Sequence, residues 1–93
     1  MTAAVTDNSA RSRYELETDG GTAFIDYRRS GGVRVLTHAE VPVQLRGSGI
    51  GTQLTAGTLE LVRSQGEKVV VHCAYVAYFI ARHPQYQDLL AGV

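Results

Sequence analysis

Three of the chain's ten glycines lie in one short segment, residues 44–54, which reads QLRGSGIGTQL. Glycines let backbone N–H groups approach a ligand without a Cβ in the way. The segment leads into a predicted helix, whose N-terminus offers unpaired N–H groups and a partial positive charge. Arg46 adds a fixed charge with a planar donor fork. These residue types in this order predict a site for an anionic group such as phosphate.

The spacing of the glycines matches neither of two known phosphate-binding loops. A P-loop ends in Gly-Lys followed by Ser or Thr, and no lysine stands between Gly51 and Thr52. A dinucleotide-binding loop has the pattern G-x-G-x-x-G, whereas Gly47, Gly49 and Gly51 are spaced by two. A glycine-rich strand-to-helix turn that binds nothing stays open as the alternative.

Periodicity and turn residues predict the elements that position this segment. Alternating apolar residues indicate strands over residues 14–19, 22–28 and 33–43, and a short apolar run indicates a buried strand over 68–73. Helical spacing indicates helices over 49–64 and 74–83. Pro42 cannot donate a ladder hydrogen bond, so the third strand should be bulged or lack a neighbour there.

The predicted order is therefore β-β-β-α-β-α. The first three strands form an antiparallel meander, and a right-handed crossover brings the last strand parallel to the third. This is an α+β fold with a mixed sheet. We expect residues 1–12 to be a flexible tail and residues 13–93 to form one domain. The strand over residues 14–19 is expected at the sheet edge, in a monomer or a weak homodimer.

Composition excludes several function classes. The 93 residues carry a formal net charge of zero, which argues against nucleic acid as a partner. A single cysteine excludes an internal disulfide and a multi-cysteine zinc site, and we expect no metal. No apolar run spans a bilayer, and the N-terminus does not resemble a signal peptide. We expect a cytoplasmic protein that does not bind membranes.

The pattern R-x-x-G-x-G, formed by Arg46, Gly49 and Gly51, resembles the pyrophosphate loop of the GNAT superfamily of N-acetyltransferases, which bind acetyl-coenzyme A. The segments HAEVPVQLRGSGIGTQL and VVVHCAYVAYFIARHPQYQDLL resemble a small, stand-alone branch that lacks the N-terminal helices of larger members. The resemblance covers about residues 23–90. It implies a bulged strand that runs into the loop, a splayed neighbouring strand, and pantetheine lying in the opening.

The resemblance also implies which residues bind acetyl-coenzyme A. Backbone groups of Val41 and Val43 should pair with the pantetheine amides. Tyr75 and Tyr78 are nearby, and either one should line the cofactor wall, with Tyr78 taken as the binding residue, or both belong to the core. The pyrophosphate should be wrapped, mainly through N–H groups, by Arg46, Gly47, Ser48, Gly49, Ile50, Gly51 and Thr52.

The implied catalytic residues are Cys73, Glu40 and His38. Cys73 ends the last strand and either protonates the departing thiolate, takes the acetyl group as a nucleophile, or is a small apolar side chain. Glu40 is the candidate general base with His38 as its alternate or orienting group, or the two are an exposed polar pair. Ala81 stands where larger relatives carry a tyrosine acid.

Three functions follow from these residues. The first is an acetyl-coenzyme A-dependent N-acetyltransferase acting on an amine, for which a protein or peptide amine suits an open acceptor site. The second is a coenzyme A or acyl-coenzyme A binding module with little or no transferase activity. The third, an interaction domain without a ligand, leaves the glycine segment unexplained.

Overall fold

Five strands form one mixed sheet in the computed structural model, which describes residues 4–91. In spatial order they are β1 (Thr6–Asn8), β2 (Arg13–Thr18), β3 (Gly21–Ser30), β4 (Val33–Glu40) and β5 (Lys68–Val71). The strands β1 to β4 run antiparallel to one another, and β5 is parallel to β4. The predicted α+β fold, a meander followed by one parallel crossover strand, is confirmed.

Two helices complete the fold. Helix α1 (Ile50–Ser64) forms the crossover from β4 to β5, and α2 (Ala74–Arg82) follows β5. Short 3₁₀ helices lie at Val43–Leu45, before α1, and at Pro84–Leu89, after α2. The predicted helices over residues 49–64 and 74–83 agree with α1 and α2 to within one residue at each end.

The period of two along β3 decides which face of the sheet is buried. Ala23, Ile25 and Tyr27 are buried, whereas Phe24 and Asp26 on the other face are only half-buried. The buried side chains of both helices join the same core cluster as β3. Burying one such side chain contributes about 1.5–3 kcal/mol. Both helices therefore pack on one face, and the opposite face of the central strands is left without a helical cover.

Strand β1 corrects the prediction that residues 1–12 form a flexible tail. Thr6–Asn8 pairs with Arg13–Glu15 of β2, so β1 rather than β2 forms this edge of the sheet. Asp7 holds β1 in place because its carboxylate accepts hydrogen bonds from the side chains of Tyr27 (2.7 Å) and Gln65 (2.9 Å). These partners are distant in sequence, so no local pattern reports them. Residues 1–3 of the predicted tail lie outside the described residues.

Strand β4 corrects the prediction of a strand over residues 33–43. It ends at Glu40, and Pro42 precedes the 3₁₀ helix Val43–Leu45 instead of lying within a strand. The bulge lies at Thr37, because Tyr27 pairs with Leu36 while the neighbouring Asp26 pairs with His38. A proline with φ fixed near −65° suits the turn that follows the strand.

Candidate functional site

The sheet opens where β4 and β5 part. Their pairing ends at Leu36 and Val71, and the last hydrogen bond between the segments runs from the His72 N–H to the Leu36 carbonyl at 2.9 Å. β4 continues to Glu40 beyond this point. The side of β4 that faced β5 is therefore without a neighbouring strand over residues 37–40. Backbone groups on such a free edge can pair with an extended ligand.

A cleft of about 570 Å³ lies at this opening. Its walls come from the end of β4, the loop before α1, the first turn of α1 and Tyr75 at the start of α2. Six of the predicted cofactor-binding residues line the cleft: Val41, Arg46, Gly47, Gly49, Gly51 and Thr52. The fold thus brings the glycine segment and the open strand edge to one place.

Two glycines of the loop have backbone conformations that side chains disfavour. Gly47 has φ of 83° and Gly49 has φ of 91°, both in the left-handed region. A Cβ built at either position meets no other atom within 4 Å, so bare backbone faces open space there. Gly49 also caps α1 and has no side chain to satisfy the first N–H groups of the helix.

The N–H groups of this loop are available to a ligand. Those of Gly47, Gly49, Ile50, Gly51 and Thr52 have no hydrogen-bond acceptor among residues 4–91. The first intrahelical bond runs from the Gln53 N–H to the Gly49 carbonyl at 3.0 Å. Unpaired N–H groups at a helix start, beside the exposed guanidinium of Arg46, form a donor set that suits the two phosphates of a diphosphate.

Three elements meet at Gly51 on the wall of the cleft. A Cβ built at Gly51 overlaps the Tyr75 hydroxyl and lies 3.6 Å from a methyl group of Val41. Gly51 is the second residue of α1, Tyr75 the second residue of α2, and Val41 follows β4. The absence of a side chain at Gly51 is therefore what allows Tyr75 to lie against the first turn of α1.

The other four predicted cofactor-binding residues do not line the cleft. Both donors of Ser48 are used within the loop, because its N–H (3.1 Å) and its hydroxyl donate to the Leu45 carbonyl. The Val43 side chain is exposed, and its carbonyl accepts the Arg46 N–H at 3.2 Å. Ile50 packs against the core, although its N–H faces the loop side. Tyr78 is 60% exposed, beside the Arg82 guanidinium, and does not line the cleft.

The predicted catalytic residues divide into two groups. His38 and Glu40 both line the cleft, are exposed, and approach each other with Nε2 and Oε1 3.3 Å apart. Cys73 is half-buried, lies directly before α2 and packs against the core, and it does not line the cleft. Ala81 is exposed on α2. The structure thus places His38 and Glu40 on the same cleft as the glycine loop and leaves Cys73 outside its lining.

Sequence reasoning left open whether Tyr75 or Tyr78 lines the cofactor wall and counted only Tyr78 among the binding residues, whereas Tyr75 is the one that lines the cleft. It missed the apolar lining of the cleft, which comes from Ala39, Leu45 and Leu54. One signal could have separated the two tyrosines. Tyr75 lies at the N-terminal end of α2, as Gly51 does on α1, whereas Tyr78 is one turn further on.

Two other kinds of site are absent from the described part of the chain. Among residues 4–91, neither helix has the length and apolar character that crossing a bilayer requires. Within the same residues, no three side chains of His, Cys, Asp or Glu are grouped so that they could hold a metal ion.

Comparison with known proteins identifies the relatives of this fold. The sequence model of the GCN5-related N-acetyl-transferase family matches residues 13–89. A GCN5-like protein from Staphylococcus aureus, whose structure was determined in solution by NMR, has the same fold with a TM-score of 0.72. It is 21% identical, and the match covers 99% of this chain and 91% of that one. No curated protein sequence matches the chain.

Proposed function

This chain belongs to the GCN5-related N-acetyltransferase family, and from that membership we propose that it transfers the acetyl group of acetyl-coenzyme A to an amine. The observation that carries the proposal is the cleft at the parting of β4 and β5, with free N–H groups at the start of α1 along one wall. The predicted acetyltransferase family is confirmed. The cofactor, the acceptor and each residue's role are proposed.

The residues present fit coenzyme A. Arg46 and the free N–H groups from Gly47 to Thr52 suit its diphosphate, because backbone donors and a guanidinium together bind dianionic groups well. The Val41 N–H, beyond the last pairing of β4 with β5, suits a carbonyl of the pantetheine arm, whereas the Val41 carbonyl already accepts a hydrogen bond from Arg46 Nε at 3.4 Å. Bound acetyl-coenzyme A supplies an acetyl group activated as a thioester. The Ser48 N–H and the Val43 carbonyl contribute less, because each already has a partner in the loop.

Glu40 is the proposed general base. An amine attacks only after its ammonium form has lost a proton, and an exposed carboxylate at the cleft wall accepts that proton directly or through water. His38 orients Glu40 across their 3.3 Å contact or replaces it as the base. Cys73 keeps its alternative roles as acid, nucleophile or structural residue. Its half-buried position against the core favours the structural one.

A coenzyme A-binding module with little transferase activity is the second candidate function. The uncovered face of the central strands favours it, because neither helix builds an enclosed acceptor pocket there. The same open face suits a protein or peptide amine, which needs no enclosed pocket. The expectations of a cytoplasmic location, of no nucleic-acid or membrane partner, and of a monomer or weak homodimer stay predictions.

Two measurements separate these functions. Native mass spectrometry of the purified protein with added acetyl-coenzyme A should show a one-to-one complex, and its absence would count against both. Thioester consumption is then followed against a panel of amines and peptides. Consumption that depends on an added amine supports the transferase, whereas binding with no turnover on any amine supports the module.

A further inference from the structure

Tyr75 lines the cleft and is not part of the hydrophobic core. It is the second residue of α2, 45% exposed, and its hydroxyl lies against Gly51 in the first turn of α1. It does not belong to the core cluster, unlike Val76, Phe79 and Ile80 on the same helix. Core packing therefore does not explain why a tyrosine points into this space.

The Tyr75 hydroxyl also differs from those of the buried tyrosines. Tyr14 donates to Gln65 at 3.0 Å, Tyr27 to Asp7 at 2.7 Å, and Tyr86 to Glu60 at 2.9 Å. The Tyr75 hydroxyl has no hydrogen-bond partner among residues 4–91. A tyrosine hydroxyl at a ligand cleft normally finds an acceptor when the ligand arrives.

Free backbone donors lie next to this hydroxyl. The N–H groups of Ile50, Gly51 and Thr52 lie in the turn against which Tyr75 rests, and none has an acceptor among the described residues. Several donors that converge on one space are satisfied together by an anionic oxygen. The partial positive charge of the α1 N-terminus favours the same occupant.

We propose that Tyr75 is a ligand-binding residue of the cleft, whose hydroxyl donates a hydrogen bond to a diphosphate oxygen of coenzyme A beside the first turn of α1. The proposal rests on the proposed function, since it takes coenzyme A as the ligand. It also gives Gly51 a second role, because any side chain there would displace the Tyr75 hydroxyl from this position.

The test compares Tyr75→Phe with a matched control, Tyr78→Phe. Both variants remove one hydroxyl from an exposed tyrosine of α2 and keep the ring, but only Tyr75 lines the cleft. Isothermal titration with coenzyme A should show Kd raised about tenfold in Tyr75→Phe, as expected for the loss of one hydrogen bond to a charged group. Tyr78→Phe should bind like the unmodified protein.

The ³¹P resonances of bound coenzyme A identify the part of the ligand that Tyr75 contacts. The diphosphate resonances should move in the Tyr75→Phe complex relative to the unmodified complex and stay in place with Tyr78→Phe. An unchanged Kd in Tyr75→Phe, or a weaker Kd with unchanged diphosphate resonances, would overturn the inference alone. No binding of coenzyme A by the unmodified protein would instead overturn the proposed function on which it rests.

Discussion

At the residue scale, the glycine loop was the most predictable part of the site. The type and spacing of Arg46, Gly49 and Gly51 predicted an anion-binding loop, and the structure places all three on the cleft. The two glycines are required for different reasons. Gly49 has a left-handed backbone, whereas Gly51 leaves room for the Tyr75 side chain. The internal bonding of Ser48 was not predictable, because it depends on the 3₁₀ helix that replaces the end of the expected strand.

Gly49→Val should abolish coenzyme A binding in a folded protein. Valine strains the left-handed backbone by about 1–2 kcal/mol, and its side chain enters the open space that the ligand requires. Gly66→Val is the matched control, since Gly66 also has positive φ (72°) and free space around it but lies beyond the far end of α1. Calorimetric titration of the two variants should find binding only in Gly66→Val. Equal affinities would show that the loop does not hold the ligand.

Glu40→Gln should lower kcat/KM for an amine acceptor about 100-fold, because the amide cannot accept the ammonium proton. The affinity for coenzyme A should hardly change, and the loss should be smaller at high pH, where the amine is already neutral. His38→Gln, the variant of its neighbour at 3.3 Å, should be affected less. Rates are measured as thiol release across a pH series. A pH-independent loss in Glu40→Gln would argue for a structural role.

At the scale of elements, periodicity predicted four strands and both helices but missed β1. Strand β1 has three residues and is held by contacts with β2, with Tyr27 and with α1, none of which a local pattern reports. The overlong third strand has a similar cause. Residues 41–43 carry strand-like apolar residues, yet β5 has already parted from β4 and the chain turns at Pro42 into a 3₁₀ helix.

The packing of α1 on the segment before β1 predicts an unusual glycine effect. A Cβ at Gly57 would overlap the side chain of Val5, so Gly57→Ala should lower the melting temperature although alanine favours helix by about 1 kcal/mol. The amides of Thr6–Asn8 should exchange faster in this variant. Adding Val5→Ala removes the closest contact, with Cγ2 of Val5, and should restore both properties in part, because the Cβ of residue 5 still lies 2.9 Å from the new methyl group. A stabilised Gly57→Ala single variant would contradict this packing.

At the scale of the whole molecule, the fold class followed from the sequence because the order of apolar patterns leaves few topologies. The polar cluster that joins β1, β4 and the residue before β5 did not. Arg34, 5% exposed, pairs with Asp7 of β1 at 3.1 Å and with Glu67, just before β5, at 2.7 Å. A buried arginine on a strand gives no sequence signal of its partners, which are 27 and 33 residues away.

This cluster makes stability depend on pH. Burial raises the pKa of Asp7, but hydrogen bonds from Tyr27, Gln65 and Arg34 outweigh it and leave that pKa below the ordinary 3.8. The Arg34 hydrogen bond lowers the pKa of Glu67 below 4.5. Because both pKa values are lowered by folding, the stabilisation is present above about pH 4.5 and is lost as pH falls through the folded-state values.

Asp7→Asn tests the cluster by urea unfolding between pH 7 and pH 2. The unfolding free energy at pH 7 should fall by about 2 kcal/mol, the scale of hydrogen bonds to charged groups. Its decline below pH 4 should be shallower than in the unmodified protein. The exposed pair Arg63 and Asp88 offers a control, since Asp88→Asn should change the unfolding free energy at pH 7 far less than Asp7→Asn does. Equal effects of the two variants would contradict the role assigned to Asp7.

The central claim is that free N–H groups at the start of α1 bind the diphosphate of coenzyme A. A ¹H–¹⁵N NMR titration of the ¹⁵N-labelled protein with coenzyme A measures the chemical shifts of those N–H groups directly. The account predicts saturable shifts that are largest for the amides of Gly47, Gly49, Ile50, Gly51 and Thr52, with small shifts at Gly66 beyond the other end of α1. No shifts, or saturable shifts centred away from residues 46–52, would contradict it.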